Sequence, residues 1–245
     1  MSAMTQPPFD PAREEAELRA YLGDRYDRTR LMLYEQQLVE EFERIADEDA
    51  FYRSSQAYLY DLTAFAMTGT KQPYLRMLTG AVAPGARLLD WGCGIGSDGL
   101  ALLEAGYRVD FADFANPSTE YLRWRLAHRG LEAPIHDLDR DDIPGGFDLA
   151  YAFDVAEHVR DPFALLAELE SRARLVLVNF LEPETGYDPL HRRLPIGDLI
   201  AHAATHGLQR YRVAGGRSHL VLYEPGAKTS LLARAALTLG RLRRR

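Results

Sequence analysis

Thirteen residues, Arg87-Leu-Leu-Asp-Trp-Gly-Cys-Gly-Ile-Gly-Ser-Asp-Gly99, constrain this chain more than any other stretch. An apolar run at Leu88 and Leu89 reaches Asp90, and the chain then passes through Gly92, Gly94 and Gly96. Apolar positions resume at Leu100, Leu102, Leu103 and Ala105. The pattern predicts a buried strand, a glycine turn and the first turns of a helix. Residues without Cβ let the main chain turn tightly and approach a ligand. The helix behind the turn offers unpaired N–H groups and the positive end of its dipole, suited to a carboxylate or phosphate.

Two chemistries compete for these glycines. Gly94-x-Gly96-x-x-Gly99 satisfies the dinucleotide fingerprint, with Asp113 near the expected spacing of about 20 residues downstream. The longer string Asp90-x-Gly92-x-Gly94-x-Gly96 resembles motif I of class I S-adenosylmethionine-dependent methyltransferases. That resemblance implies that Asp90, Gly92, Cys93, Gly94 and Gly96 hold the methionine end of the cofactor. It also implies that an acid ending the next strand, Asp113, takes the ribose hydroxyls, with Phe114 along the adenine. A carboxylate can accept both ribose hydrogen bonds and repels the 2′-phosphate of NADP. Asp110 is one strand step out of phase for that role.

The remaining strands follow the same alternation with helices, which predicts a parallel sheet covered on both faces. Strands are expected at Tyr107–Ala112, Ala133–His136, Phe147–Phe153 and Arg174–Phe180, and helices at 117–129 and 195–206. Leu208–Val213 and Ser218–Tyr223 flank Ala214-Gly-Gly-Arg217 and read as a closing hairpin. A terminal hairpin matches the antiparallel seventh strand of the methyltransferase sheet, and dehydrogenase folds usually lack it. The expected fold is therefore α/β, a Rossmann-like seven-stranded methyltransferase sheet with an N-terminal helical lid. The parts are residues 1–75 as the helical segment, 76–226 as the S-adenosylmethionine-binding domain, and 227–245 as a basic tail.

After the third strand come Asp137 and Leu138. By the same resemblance, Asp137 accepts from the adenine amino group and Leu138 lies against the ring. The acids Asp137, Asp139, Asp141 and Asp142 lack the glycine and closing glutamate of an EF-hand, so a calcium loop is set aside.

A second informative site ends the fourth strand: Phe153-Asp154-Val-Ala-Glu157-His158-Val-Arg-Asp161-Pro162. It resembles the post-strand-four motif of the ubiquinone-pathway O-methyltransferases, and Phe153 and Asp154 are assigned to the cofactor. Open parallel sheets place ligands beyond the carboxyl ends of their strands, at the switch point between strands one and four. Glu157 and His158 are expected to face the methyl acceptor there. In one mechanism His158 is the general base. Phosphoethanolamine methyltransferases pair a histidine here with a tyrosine from the N-terminal segment, for which Tyr58, Tyr52 and Tyr60 are candidates. In the other, Asp154, Glu157, His158 and the later His191 ligate a divalent metal that lowers the pKa of an acceptor hydroxyl. Asp154 stands where related enzymes have a glutamate, a shorter reach. A third reading leaves Glu157 and His158 to cap the following helix and orient the loop. Residues 179–194, with Glu182, Glu184, Tyr187, His191 and Arg192, read as a loop rimming the acceptor pocket.

The segment before the sheet is read as helical at 11–22, then as one amphipathic helix from a cap at Asp27 through Leu31, Tyr34, Leu38, Phe42 and Ile45. The tyrosine-rich stretch that follows fits a lid over a wet pocket, or a face of aromatics that simply pack.

Composition bounds the rest. The 245 residues carry a net charge of −7, but residues 228–245 hold six basic groups and no acid, which leaves −13 on the remainder. An acidic body does not favour phosphate backbones, so a nucleic-acid partner is not expected. The tail reads either as a basic amphipathic helix or as a solvated end. A single cysteine, Cys93, excludes an internal disulfide and suits a reducing cytoplasm. It is read as packing under the loop rather than as a nucleophile. With no signal peptide and no run of about 18 apolar residues, a soluble cytoplasmic protein is expected. The expected function is methyl transfer from S-adenosyl-L-methionine to a hydroxyl or amine of a small molecule, leaving S-adenosyl-L-homocysteine. Alternatives are a metal-assisted 2′-O-methyltransferase of an RNA end, a non-catalytic S-adenosylmethionine-binding module, and an NAD-dependent oxidoreductase. The oligomeric state and the acceptor's identity are not written in these motifs.

Overall fold

The structure, a computed structural model, describes residues 9–183 and 190–230. Among the described residues there are ten α-helices and seven strands. The strands, in chain order β1 (Arg87–Trp91), β2 (Arg108–Asp113), β3 (Ile135–Asp137), β4 (Phe147–Ala152), β5 (Ala173–Leu181), β6 (Leu208–Ala214) and β7 (Ser218–Tyr223), form one sheet ordered β3-β2-β1-β4-β5-β7-β6. β2 and β3, β1 and β4, and β4 and β5 run parallel, and β7 lies antiparallel between β5 and β6. The strand order reverses between β1 and β4, which is the switch point of this sheet. Two compact units emerge from the contacts. One holds the residues up to Gly85 with Gly92–Ile143, the other Ala86–Trp91 with the residues from Pro144.

The first unit contains α1 (Pro11–Leu22), α2 (Arg28–Met32), α3 (Tyr34–Ile45), α4 (Glu48–Ser54), α5 (Ala57–Met67), α6 (Gln72–Thr79), α7 (Ser97–Glu104) and α8 (Pro117–Arg129), with β2 and β3. Two of its helices start on an acid or amide followed by proline. Asp10 accepts from the Arg13 amide, and Asn116 and Thr119 exchange the two bonds of a capping box. Proline costs nothing at the first helical position, where its missing N–H would have no helical partner, and the cap satisfies one of the orphan donors. The single helix expected from Asp27 is instead two. Asp27 does cap, accepting from the Thr29 amide, but Leu33 leaves helical geometry at φ −110° and ψ 29° and divides α2 from α3. Met32 and Leu33 are exposed at that break, so no apolar contact holds the chain helical there.

Leu18, Leu22, Leu31, Leu59, Tyr60, Ile95 and Tyr121 form the core of this unit. Ile95 belongs to the glycine turn, so the motif is anchored by a buried side chain of its own. Below it lies an ionic cluster. Arg125 of α8, wholly buried, donates to Glu14 (2.7 Å) and Glu17 (2.8 Å) of α1, to the Ile95 carbonyl (3.0 Å) and to Ser97 (2.8 Å). Arg129 adds two 2.8 Å bonds to Glu17. Burial opposes ionisation of Glu17, but hydrogen bonds from Arg129 and the charges of Arg125 and Arg129 outweigh it and hold the carboxyl below its ordinary value.

The second unit contains β1, β4, β5, β6 and β7 with α9 (Pro162–Arg172) and α10 (Ile196–Thr205). β4, β5 and β7 are buried almost throughout, which their continuous Leu, Val, Ala and aromatic content makes favourable. α9 packs on β4 and β5, and α10 on β6 and β7. The hairpin expected from Ala214-Gly-Gly-Arg217 is present, with Ala214 opposite Ser218. Among the described residues, no helix is long and apolar enough to cross a membrane. The basic tail from Leu231 onward, and Glu184 and Tyr187 of the expected rim, lie outside the described residues.

Candidate active site and cofactor loop

In the first unit, the glycine turn folds back on the end of β2. The amides of Gly92 and Cys93 donate to the Ala112 carbonyl at 2.8 and 3.3 Å, and the Gly96 amide closes the turn on the Cys93 carbonyl at 2.8 Å. Gly94 and Gly96 sit at φ +53° and +73°, the left-handed region that glycine enters at least cost. Both have a second reason to lack Cβ. One built on Gly94 would lie 2.9 Å from Leu62 of α5, and one on Gly96 would lie 2.3 Å from the buried Leu122 of α8. Cys93 is half-buried, its Sγ 3.9 Å from the Gly94 carbonyl, as a packing residue would be.

Asp113, the last residue of β2, is the hub of this loop. One carboxylate oxygen accepts from the Gly94 amide and the other from the Phe114 amide, each at 2.7 Å. Burial pushes its pKa up to about 6, against the lowering effect of the two backbone bonds. Asp110, by contrast, lies 3.3 Å from His136 on β3. Asp137 ends β3 inside the strand rather than just after it, paired in register with Asp113. One Asp137 oxygen accepts from the Asp139 amide at 3.1 Å, and the Leu138 amide donates to the Asp113 carbonyl at 3.1 Å. Asp139 forks onto Arg53 of α4, whose guanidinium lies 4.4 Å over the Phe114 ring. Arg53 thus covers one face of the Phe114 ring, a contact that no sequence motif signals.

The tyrosines divide by burial. The buried Tyr60 accepts from the Asp27 amide (3.0 Å) and donates to the Arg25 carbonyl (3.3 Å), so its hydroxyl serves the turn before α2. Tyr58 and Tyr52 meet edge to face, ring centroids 5.8 Å apart, and both contact Phe51.

In the second unit, Asp90 is a buried member of β1 and pairs with Tyr151 of β4. Phe153 follows β4 and is buried, its ring 4.9 Å from Tyr151. Asp154 comes next at φ +56°, one of two non-glycine residues with positive φ among the described residues. Asn179 holds it there, accepting from the Asp154 amide at 2.8 Å and donating to its carboxylate at 2.7 Å. Asn179 also reaches Ser218 at 3.1 Å. The expected strand through Phe180 runs one residue further, to Leu181, and buries Asn179 completely, which excludes it from the rim loop where it was also read.

Ala156–His158 form a 3-10 turn, with Glu157 buried. The reading of Glu157 and His158 as caps of α9 is corrected here. Asp161 caps that helix, accepting from the Phe163 and Ala164 amides at 2.9 and 3.1 Å. The turn is instead stitched to the segment after β5. His158 Nδ1 lies 3.0 Å from the Leu190 carbonyl, and the Arg192 amide donates to the Glu157 carbonyl at 2.8 Å. These two bonds bring His191 beside His158, with ring centroids 4.7 Å apart. Glu157, His158 and His191 each bring one donor atom within 4.8 Å of the others, a spacing fit for a metal ion. Asp154 is not a member of that group and is bound to Asn179 instead.

Comparison with known proteins gives this arrangement its family. Residues 89–174 match the model of the methyltransferase domain. An O-methyltransferase of ubiquinone biosynthesis from Xanthomonas campestris is 31% identical over 168 residues, which span 58% of this chain and 68% of that protein. A cypemycin N-terminal methyltransferase from a Streptomyces species is 36% identical over 95 residues, 38% of this chain and 35% of that one. The fold is shared with magnesium protoporphyrin IX methyltransferase from Synechocystis, solved with bound S-adenosylhomocysteine. The TM-score is 0.56 at 16% identity, covering 82% of this chain and 100% of that one. The chain belongs to the class I S-adenosylmethionine-dependent methyltransferases. It is an enzyme of their small-molecule O-methyltransferase-like branch, and S-adenosylmethionine is its cofactor.

Proposed function

We propose that the enzyme methylates a hydroxyl or amine of a small molecule in the cytoplasm, with His158 taking the acceptor's proton. The observation that carries this reading is the bond between His158 Nδ1 and the Leu190 carbonyl. A carbonyl only accepts, so Nδ1 carries the proton and Nε2 is left with its lone pair. That is the tautomer a base needs. The cofactor supplies an electrophilic methyl group on a sulfonium. Bound there, it would pass that methyl group to the acceptor's oxygen or nitrogen and leave as S-adenosylhomocysteine, while His158 would take the proton the acceptor gives up. Most of the rate in such a transfer comes from holding the two reacting atoms close and aligned.

The residues present fit the cofactor. Asp113, carboxylate in place at the end of β2, takes the ribose hydroxyls; Phe114 and Leu138 take the adenine, and Asp137 its amino group. Gly92, Cys93, Gly94 and Gly96 follow Asp90 as the grip on the amino acid end. Phe153 and Asp154 are the candidates for the cofactor in the second unit. Glu157 and His191 are the further candidates at the acceptor in the second unit, and Tyr58 is the candidate from the first. The relatives' names include an O-methyltransferase and a cypemycin N-terminal methyltransferase, which is why both acceptor atoms stand in the proposal.

A second reading rests on the gathered donors of Glu157, His158 and His191. One carboxylate and two imidazoles would hold a divalent ion, whose charge would lower the pKa of an acceptor hydroxyl. Single-turnover assays with a panel of catechols, phenols and amines test both readings. His158→Ala is expected to lower turnover about 100-fold or more while S-adenosylhomocysteine affinity stays within about twofold. Equal turnover removes His158 from the chemistry. Loss of activity on EDTA dialysis, restored by Zn2+, Co2+ or Mn2+, selects the metal reading; full activity in EDTA selects the base.

A further inference from the structure

A second group of metal-binding side chains lies elsewhere in the second unit, and methyl transfer makes no use of it. Glu170 stands in the last turn of α9, His202 in the last turn of α10, and His206 just after that helix. One donor atom from each falls within 4.8 Å of the other two. We propose that Glu170, His202 and His206 form a binding site for a divalent transition-metal ion, of which Zn2+ is the type, on the α9–α10 side of the sheet.

Three observations carry this. Spacing comes first: His202 and His206 are four residues apart, so they project from one face, and their rings stack with centroids 3.9 Å apart and planes 17° from parallel. The second is the state of the donors. His206 Nδ1 lies 2.8 Å from the His202 carbonyl, which fixes the proton on that nitrogen and leaves Nε2 as a ligand. His202 Nε2 faces Glu170 Oε1 at 2.6 Å, a hydrogen bond whose proton an entering ion would displace, freeing both atoms as ligands. Third is the support behind the carboxylate: the Tyr223 hydroxyl donates to the same Glu170 oxygen at 2.8 Å and orients it. A hydrogen-bonded outer shell of this kind is what metal-ligating carboxylates and imidazoles ordinarily have.

The donor set decides the ion. Two imidazoles and one carboxylate suit Zn2+, Ni2+ or Cu2+, whereas Mg2+ and Ca2+ prefer all-oxygen sites. Metal–ligand bonds of about 2.0–2.2 Å place donors about 3.4 Å apart around a tetrahedral ion, so small side-chain rotations complete the site. Its position separates it from the methyl-transfer chemistry. Tyr223 and Ser218 are five residues apart on β7, about 17 Å along the strand, and Ser218 is the end that meets Asn179. A bound ion would therefore tie α9 and α10 together with β7 behind them, a structural role rather than a catalytic one.

Untagged full-length protein, stripped with chelator, is dialysed against Zn2+ and separately titrated with Co2+, read by its visible absorption. The His191→Asn background removes the Glu157 group, so that the remaining ion reports on this site alone. One Zn2+ per chain is expected there, with a Tm rise of about 5 °C at saturating metal. Adding His206→Asn or Glu170→Gln should weaken Zn2+ about tenfold or more and erase the Co2+ bands. In the otherwise wild-type enzyme, His206→Asn should leave methyl transfer unchanged. Zn2+ retained at full affinity in the His202→Asn/His206→Asn double variant, or no ion bound in the His191→Asn background, overturns the proposal.

Discussion

Asn179 and Asp154 hold each other through two hydrogen bonds, one to the Asp154 amide and one to its carboxylate. A non-glycine residue at φ +56° sits in a sparsely populated region, and such conformations persist only where the surroundings impose them. Here the imposing group is one buried amide at the carboxyl end of β5.

Asn179→Leu removes both bonds while keeping the volume and leaves the Asp154 amide without its side-chain acceptor. A stability loss of about 2–4 kcal/mol is expected in urea unfolding, since two buried polar groups lose a partner together. Turnover should fall as well, because the 3-10 turn carrying His158 begins two residues beyond Asp154. Asn179→Asp restores an acceptor but sets two carboxylates face to face, and should be no better than leucine at neutral pH.

Asp113 sets a pH dependence. Its native pKa, about 6, lies above the ordinary 3.8, so the folded protein keeps a proton that the unfolded chain has lost between those values. Stability of the cofactor-free enzyme should therefore decline as pH rises from about 4 to about 6, by about 1–3 kcal/mol from this group. On the proposed assignment the ribose hydroxyls bind the ionised carboxylate, so affinity for S-adenosylhomocysteine should weaken as pH falls below about 6. Calorimetric titrations between pH 5 and 8 check the second trend, and thermal unfolding of the wild type against Asp113→Asn checks the first. A flat affinity profile across pH 6 contradicts the assignment.

Arg125 braces the glycine turn from inside. Arg125→Met leaves the buried Glu17 and the half-buried Glu14 with reduced compensation and frees the Ile95 carbonyl, for an expected loss of about 3–5 kcal/mol. Glu17 titrates below its usual 4.5 in the folded protein, so its share of stability is present above that pH and lost as pH falls through the native value. The variant should accordingly show a shallower acid limb in its stability curve.

Much of this was legible in the residues themselves. Asp90 through Gly96 announced the turn because only glycines serve its geometry, and 117–129 proved to be a helix at those bounds because Asn116-Pro117 and Gly130 punctuate it. The division at Leu33 was hidden, since a one-residue break leaves the apolar spacing of Leu31, Tyr34 and Leu38 undisturbed. Asn179 was read both within the strand and as the start of the rim loop, because a polar residue following Val176-Leu-Val looks like a strand end unless its distant partners are known. Arg125 reads locally as one more charged residue on a helix, and only the fold brings Glu14 and Glu17, over a hundred residues away, to meet it. Ligand groups such as Glu170 with His202 are likewise assembled across elements, beyond the reach of any local pattern.

The measurement closest to the centre of this account is calorimetric titration of S-adenosylhomocysteine into the wild-type enzyme and into Asp113→Ala at pH 7.5. Losing charge-assisted bonds to the ribose should cost the variant about 1.5–3 kcal/mol, an affinity loss of about 10- to 150-fold with the fold intact by circular dichroism. Equal affinity in the two proteins would mean that the acid at the end of β2 does not hold the nucleoside.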